Sequence, residues 1–224
     1  KTMMTAIQVK EPAHLRTYRG IRDLILSGDL VPGQPVTIQG LIDQLGSGMT
    51  PVREAIRRLT SEGALIFHGN RRVTVPVLTL AQVDELILAR CGLEPELARR
   101  AAMCISAEDI TALEEIDEAI DESMRAGDTR GYMIHNHRFH MALYAPAQAE
   151  VIGPIVDALW LRSAPALRVM CTRFGTQNLP DMHMAAIAAL RMRDADAAAE
   201  AIRADVLQGM ENVRAILSDG ASLV

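Results

Sequence analysis

The residues best placed to do chemistry begin with arginines in the stretch GSGMTPVREAIRRLTSEG, residues 46–63. Val52, Ala55, Ile56 and Leu59 recur near the helical period, which predicts an amphipathic helix with those residues buried. Arg53 and Arg57 form an i,i+4 pair off that stripe, with Arg58 beside them. Thr50 is the expected N-cap and Pro51 the first helical residue, where a missing N–H costs nothing; Gly63 closes the helix. A short helix that buries one side and offers arginines on the other fits the DNA major groove, about 12 Å wide. Alone, the same pattern describes an ordinary amphipathic helix with a solvated basic face. A second group lies downstream. Asn136 and His140 are i,i+4 on one helical face, His183 opens a later helix, and Asp205 falls 22 residues beyond it. His135 and His137 share a helix with His140, and a lone His140 is most simply a satisfied core histidine.

The flanks decide the first case. Thr37–Leu45 (TIQGLIDQL) is another short helical pattern ending at Gly46, so helix, tight turn and helix follow one another. Downstream, residues 64–67 and 73–77 are apolar and β-prone. HGNRR lies between them, with turn residues and two arginines at its tip. This predicts a β-hairpin wing whose Asn70, Arg71 and Arg72 reach phosphates or the minor groove.

Charge supports a division of labour. The net charge of −5 divides into +3 over residues 14–76 and −9 over residues 77–224. A basic module on an acidic body suits a DNA reader with a separate sensing domain. The positive excess is small, which favours binding as a homodimer. Hydrophobic residues make up 49% of the chain and aromatics only 3%, so the core is aliphatic. No run of eighteen apolar residues predicts a membrane span, and the N-terminal stretch lacks a signal-peptide core. Cys91, Cys104 and Cys171 have no paired spacing and read as buried thiols in a reducing cytoplasm.

In chain order, residues 1–13 read as a flexible arm. Residues 14–77 read as a winged helix-turn-helix of three helices and a wing, with LVPGQP a turn. The fold class is mostly α. Residues 78–224 are helical almost throughout and predict an antiparallel all-α bundle. One helix covers 80–103, with a possible bend at Gly92 and Pro95. Ser106 opens the next with Asp109 in a capping box. Ile110, Leu113, Ile116, Ile120 and Met124 line its buried side, and its many acids form a solvated face. Further helices cover 129–144, 148 to about 170, 181–193, and 195 to about 217 behind Asp194.

Residues 15–77 resemble the winged helix of GntR-type bacterial transcription regulators. Tyr18, Leu24, Ile25, SGDLVPG (27–33), Leu41, Leu45, Gly46, TPVREAIRRL (50–59), Glu62, Gly63 and Leu65 carry the likeness. Two arginines help read bases in that family, at positions matching Gln39 and Met49; of this base-reading set only Arg53 remains here. Ile38 replaces an acidic residue, and Arg72 replaces a glycine of the wing. The second half resembles the FCD ligand-binding domain of the FadR-like branch, through RCGLEPELARRAA (90–102), FH (139–140) and the stretch from His183 to Met210.

That resemblance implies a divalent transition metal, zinc or nickel, held by Asn136, His140, His183 and Asp205, with aspartate where the family usually has a third histidine. It also implies a small organic-acid effector at the metal's open positions. Arg90 matches an arginine of the family's opening helix and is the expected charge partner, with Arg162 and Arg173 weaker candidates. A surface Arg90 paired i,i+4 with Glu94 is the competing reading. The expected function is a metabolite-responsive regulator, most simply a repressor, acting on a double-stranded DNA operator. A metal-dependent enzyme would need a general base beside the ligands, and no glutamate adjacent to a ligand suggests one. A DNA-architectural protein with a structural metal would need no effector cavity.

Overall fold

The computed structural model describes residues 11–69, 72–174, 182–219 and 223. The expected arm to residue 10, Asn70 and Arg71 of the wing tip, and residues 175–181 lie outside the described residues.

The N-terminal unit is built from α1 (Ala13–Leu26), β1 (Pro35–Val36), α2 (Ile38–Leu45), α3 (Met49–Ser61), β2 (Ile66–Phe67) and β3 (Val73–Thr74). Helix α1 buries Tyr18, Ile21, Leu24 and Ile25 against α3, which returns Val52, Ala55, Ile56 and Leu59. Two details differ from the sequence reading. Helix α3 starts at Met49 behind Gly48, and no side chain caps it. Pro51 is therefore the third helical residue, still inside the turn whose N–H groups have no intrahelical acceptor. The last residue of LVPGQP, Pro35, also joins Val36 to make strand β1, antiparallel to β3, so the wing sheet is three-stranded in the order β1-β3-β2. A two-residue strand carries too little alternation to show in sequence.

Helices α4 (Leu80–Cys104), α5 (Ala107–Ala126), α6 (Thr129–Tyr144), α7 (Ile152–Phe174), α8 (Met182–Arg191) and α9 (Ala195–Ser218) form the bundle. Capping boxes at Thr79/Gln82 and Ser106/Asp109 start α4 and α5, and Asp128 and Asp194 cap α6 and α9. Helix α4 packs chiefly on α9, α5 on α6, and α8 on α9. The core is aliphatic apart from Phe139, Tyr144 and Trp160. Cys91 and Cys171 are buried, but Cys104 is exposed at the last residue of α4, its thiol donating to the Pro146 carbonyl at 3.0 Å. Among the described residues no helix is long and apolar enough to cross a membrane.

Helix α7 joins the two units. Asp157 pairs with Arg22 of α1. The Nε of Arg162 donates to the Glu62 carbonyl at the C-terminal end of α3, at 2.9 Å. Arg168 lies against Gly28, just past the end of α1. Gly63, just past the end of α3, has φ +74°, and a Cβ there would sit 2.5 Å from the Arg162 guanidinium. Glycine is thus required at residue 63 both by backbone and by packing. Arg130 of α6 adds an ion pair with Asp29.

Candidate metal and effector site

Helices α6, α8 and α9 bring together His140, His183 and Asp205, with one ligand atom of each within 4.8 Å of the others. His140 Nε2 lies 3.1 Å from Asp205 Oδ2, and His183 Nε2 lies 3.6 Å from Asp205 Oδ1. His183 Nδ1 is 3.1 Å from the Asp117 carboxylate of α5. A carboxylate only accepts, so Nδ1 of His183 carries the proton and its Nε2 lone pair points toward Asp205. Phe139 stacks on the His183 ring with centroids 4.1 Å apart and fixes its plane. This outer arrangement, in which a histidine donates its far N–H to a carboxylate, is what metal-binding histidines require.

His140 is fully buried, with Nδ1 3.0 Å from the Tyr144 hydroxyl. Its Nε2 is buried and makes no hydrogen bond of acceptable geometry, although the Asp205 oxygen is close. Burial pushes the Asp205 carboxyl up, but the polar and charged groups around it, the Arg90 guanidinium among them, outweigh that and hold it down to about 2. An anionic oxygen pair thus faces imidazole nitrogens across gaps that suit a cation. The donor set of two nitrogens and carboxylate oxygen fits zinc and its neighbours.

Asn136, one turn before His140, lines a cavity of about 40 Å³ together with Asp205. Its other walls include Arg90, Tyr132, Trp160, Met170, Cys171 and Gln208. Burial pushes the Cys171 thiol up to about 12, so that wall is neutral. The space equals that of roughly two or three waters.

Arg90 makes the i,i+4 pair with Glu94, but in the interior and not on the surface as that reading had it. It lines the cavity, yet it is buried and bound to Glu94, with Nε to Oε1 at 2.5 Å. Its guanidinium lies 4.2 Å over the Trp160 ring and also reaches Ser163. Arg162 does not reach the cavity; it is exposed and bound to the winged helix. Arg173 is exposed near the end of α7. His137 turns toward Trp160, edge to face at 5.3 Å, and burial lowers its pKa to about 3.

Sequence reasoning missed Asp117, placing it with the solvated acids of its helix. Its signal was its position, since Leu113, Ile116 and Ile120 surround it on the buried stripe. Tyr144 and Trp160 also went unassigned. Tyr144 follows His140 by four residues, which is a legible signal, whereas Trp160 reaches the site only through tertiary packing.

On the other unit, Arg53, Arg57 and Arg72 border an open groove of about 680 Å³ between α3 and the sheet, floored by Val36, Ile56 and Val73. Thr50 is exposed in the first turn of α3. Arg58 faces elsewhere, stacked 3.8 Å over the Tyr18 ring and paired with Glu62.

A winged helix coupled to a helical bundle with a buried polar centre defines a ligand-responsive transcription regulator. Residues 14–75 match the bacterial regulatory proteins of the gntR family, and residues 85–208 match the FCD domain. The chain belongs to the GntR family of transcription regulators, in the FadR-like branch that carries an FCD domain. It is 27% identical to the transcriptional regulator McbR of Escherichia coli over 184 residues, covering 80% of this chain and 83% of McbR. It is 25% identical to the transcriptional repressor RspR of the same organism, over 98% of this chain and 97% of RspR. The solved structure of E. coli McbR superposes with a TM-score of 0.82 at 25% identity, covering 94% of this chain and 99% of that one. These families and relatives are regulators, and they leave the enzyme reading without support.

Proposed function

We propose that this regulator is a repressor that binds a double-stranded operator as a homodimer and is controlled by a small organic acid at a metal centre in its bundle. The carrying observation is the convergence of the His140 and His183 Nε2 atoms on the two Asp205 oxygens, with both Nδ1 atoms engaged from outside. Asn136 would be the fourth ligand, a reading supported by its position one turn before His140 and on the wall of the cavity that Asp205 also lines. Zinc or nickel suits this set, and when bound it supplies an electrophilic centre for a carboxylate.

The protein's own residues supply the response. The cavity has room for waters but for little of an organic acid, so an acid must part its walls. Those walls include Trp160 and Met170 of α7 and Asp205 and Gln208 of α9. Helix α7 also holds the ends of α1 and α3 through Asp157, Arg162 and Arg168. An acid that favours the widened bundle would thus move the grip on the winged helices and change their spacing in a dimer. Thr50, Arg53, Arg57 and Arg72, with Asn70 and Arg71 of the wing tip, are the proposed DNA contacts.

Metal content after identical purification and dialysis tests the centre. Wild type should retain a divalent metal and Asp205→Ala should lose it while keeping its helical content. Asp205→His should bind zinc or nickel more tightly. Equal metal in wild type and Asp205→Ala removes Asp205 from the ligand set. A thermal-shift screen of small organic acids, with and without metal, tests the effector class. No acid shifting the metal-loaded protein would sink that part. Light scattering near 24.4 kDa, with or without DNA, would sink the dimer.

A further inference from the structure

We infer that Tyr144 and Glu94 are positioning residues that set the tautomer of His140 and so keep its Nε2 lone pair available to a metal. This rests on the metal-centre reading above. It follows from counting protons. The Tyr144 hydroxyl has one hydrogen, and its oxygen lies 2.7 Å from Glu94 Oε2 and 3.0 Å from His140 Nδ1. Both Glu94 oxygens face N–H groups of Arg90, a cation with no acceptor, so the Glu94 carboxylate accepts. The tyrosine proton therefore points at Glu94, and the hydroxyl must accept from His140. Nδ1 then carries the imidazole proton, and the neutral ring has its lone pair on Nε2, facing Asp205 Oδ2 at 3.1 Å.

Without that constraint the opposite tautomer would be preferred. A proton on Nε2 would donate to Asp205 and fill the gap that a metal needs. The Tyr144–Glu94 relay opposes this by making Nδ1 the donor site. Glu94 is suited to the task because it is immobile. Its side chain is fully buried and accepts from Arg90 of α4, Tyr144 of α6 and Trp160 of α7, the last at 3.1 Å from Trp160 Nε1. Arg90 thus holds Oε1 while α6 and α7 meet on Oε2, and Oε2 decides which nitrogen of His140 is protonated. His183 reaches the same tautomer by a direct bond to Asp117. The two ligands are oriented by independent carboxylates on α4 and α5.

Tyr144→Phe is the discriminating variant, because it removes one oxygen and keeps the ring and the Arg90–Glu94 pair. Chelator competition with zinc should show metal affinity about 10- to 100-fold weaker than wild type. Nitrogen-15 NMR of the histidine rings in the metal-free protein at alkaline pH should place the His140 proton on Nδ1 in wild type and on Nε2 in Tyr144→Phe. A merely structural tyrosine would leave that tautomer unmoved. An Nε2 proton in metal-free wild type overturns the inference without recourse to any variant. Equal zinc affinity in wild type and Tyr144→Phe also overturns it, while leaving the metal centre standing. Failure of wild type itself to bind zinc would instead remove the metal-centre reading.

Discussion

Asp117 lies 3.1 Å from Nδ1 of His183 and, through that bond, turns the other nitrogen of the ring toward Asp205. An acid on the buried side of α5 is costly unless it is paired, and here the partner is a histidine on the far wall of the site. The pairing ties α5 to α8 and fixes a prospective metal ligand at once.

Asp117→Asn keeps an acceptor of the same shape but removes the charge that strengthens His183 as a ligand. Metal affinity should fall by about 10-fold, toward the lower end of effects seen for such outer partners. Helical content by circular dichroism should not change. Unaltered zinc affinity in a chelator titration would show that Asp117 serves only the packing of α8.

Much of this could be read from the sequence because the signals were local. The cap at Asp194, the capping box at Ser106 and the apolar stripe of α3 each depend on residues within one or two turns. Asn136 and His140 were legible for the same reason. The rest depends on distance along the chain. Glu94 accepts from a tyrosine 50 residues away and a tryptophan 66 away, and Asp117 meets a histidine 66 away. No periodicity encodes such meetings. The family resemblance supplied the 22-residue step to Asp205 and the i,i+4 spacing offered the Arg90–Glu94 pair, but nothing local showed that the pair is buried against Trp160. Strand β1 stayed hidden because two residues cannot show alternation.

Arg53, the proposed base reader, is exposed on the groove-bordering side of α3. Arg53→Ala should cost about 1–3 kcal/mol on the operator and relax discrimination at one base pair. Arg57→Ala should weaken all sequences alike and flatten the salt dependence. Gel-shift titrations on operator and scrambled duplexes separate the two. Unchanged operator affinity for Arg53→Ala would shift base reading to the wing.

His137 gives the fold an acid-sensitive point. Burial beside Trp160 lowers its pKa from 6.5 to about 3, with Arg22, His140 and Arg90 adding to the shift. Asp157 is 4.0 Å away and already engaged by Arg22, so it offers the imidazolium little. The folded pKa lies below the unfolded one. Between about pH 3 and 6.5 the unfolded chain therefore binds the extra proton. Stability from this group is complete above pH 6.5 and is lost as pH falls toward 3. His137→Gln should flatten the decline of melting temperature with acid in that window, relative to wild type. Parallel curves for the two proteins would show that His137 is protonated equally in both states.

The last prediction concerns α7 as the connection between the two units. Trp160 faces His140, with ring centroids 4.8 Å apart, and borders the cavity. Three residues before it Asp157 pairs with Arg22, and two residues after it Arg162 binds the carbonyl that ends α3. A guanidinium at a helix C-terminus also meets the negative end of the helix dipole. Motion of Trp160 on cavity widening must therefore be felt at both contacts unless the helix bends between them. Arg162→Ala removes the α3 contact without touching the cavity. Effector and metal affinity should stay within about twofold of wild type, because neither site includes Arg162. Operator affinity should respond less to effector, with about 0.5–2 kcal/mol of coupling lost. Asp157→Asn should act in the same direction, and the double variant should lose more than either single one. Operator titrations with and without saturating organic acid measure the coupling directly. Full coupling retained in the double variant would move the signal path from α7 to another connection, of which the Arg130–Asp29 pair between α6 and the turn after α1 is the next to test.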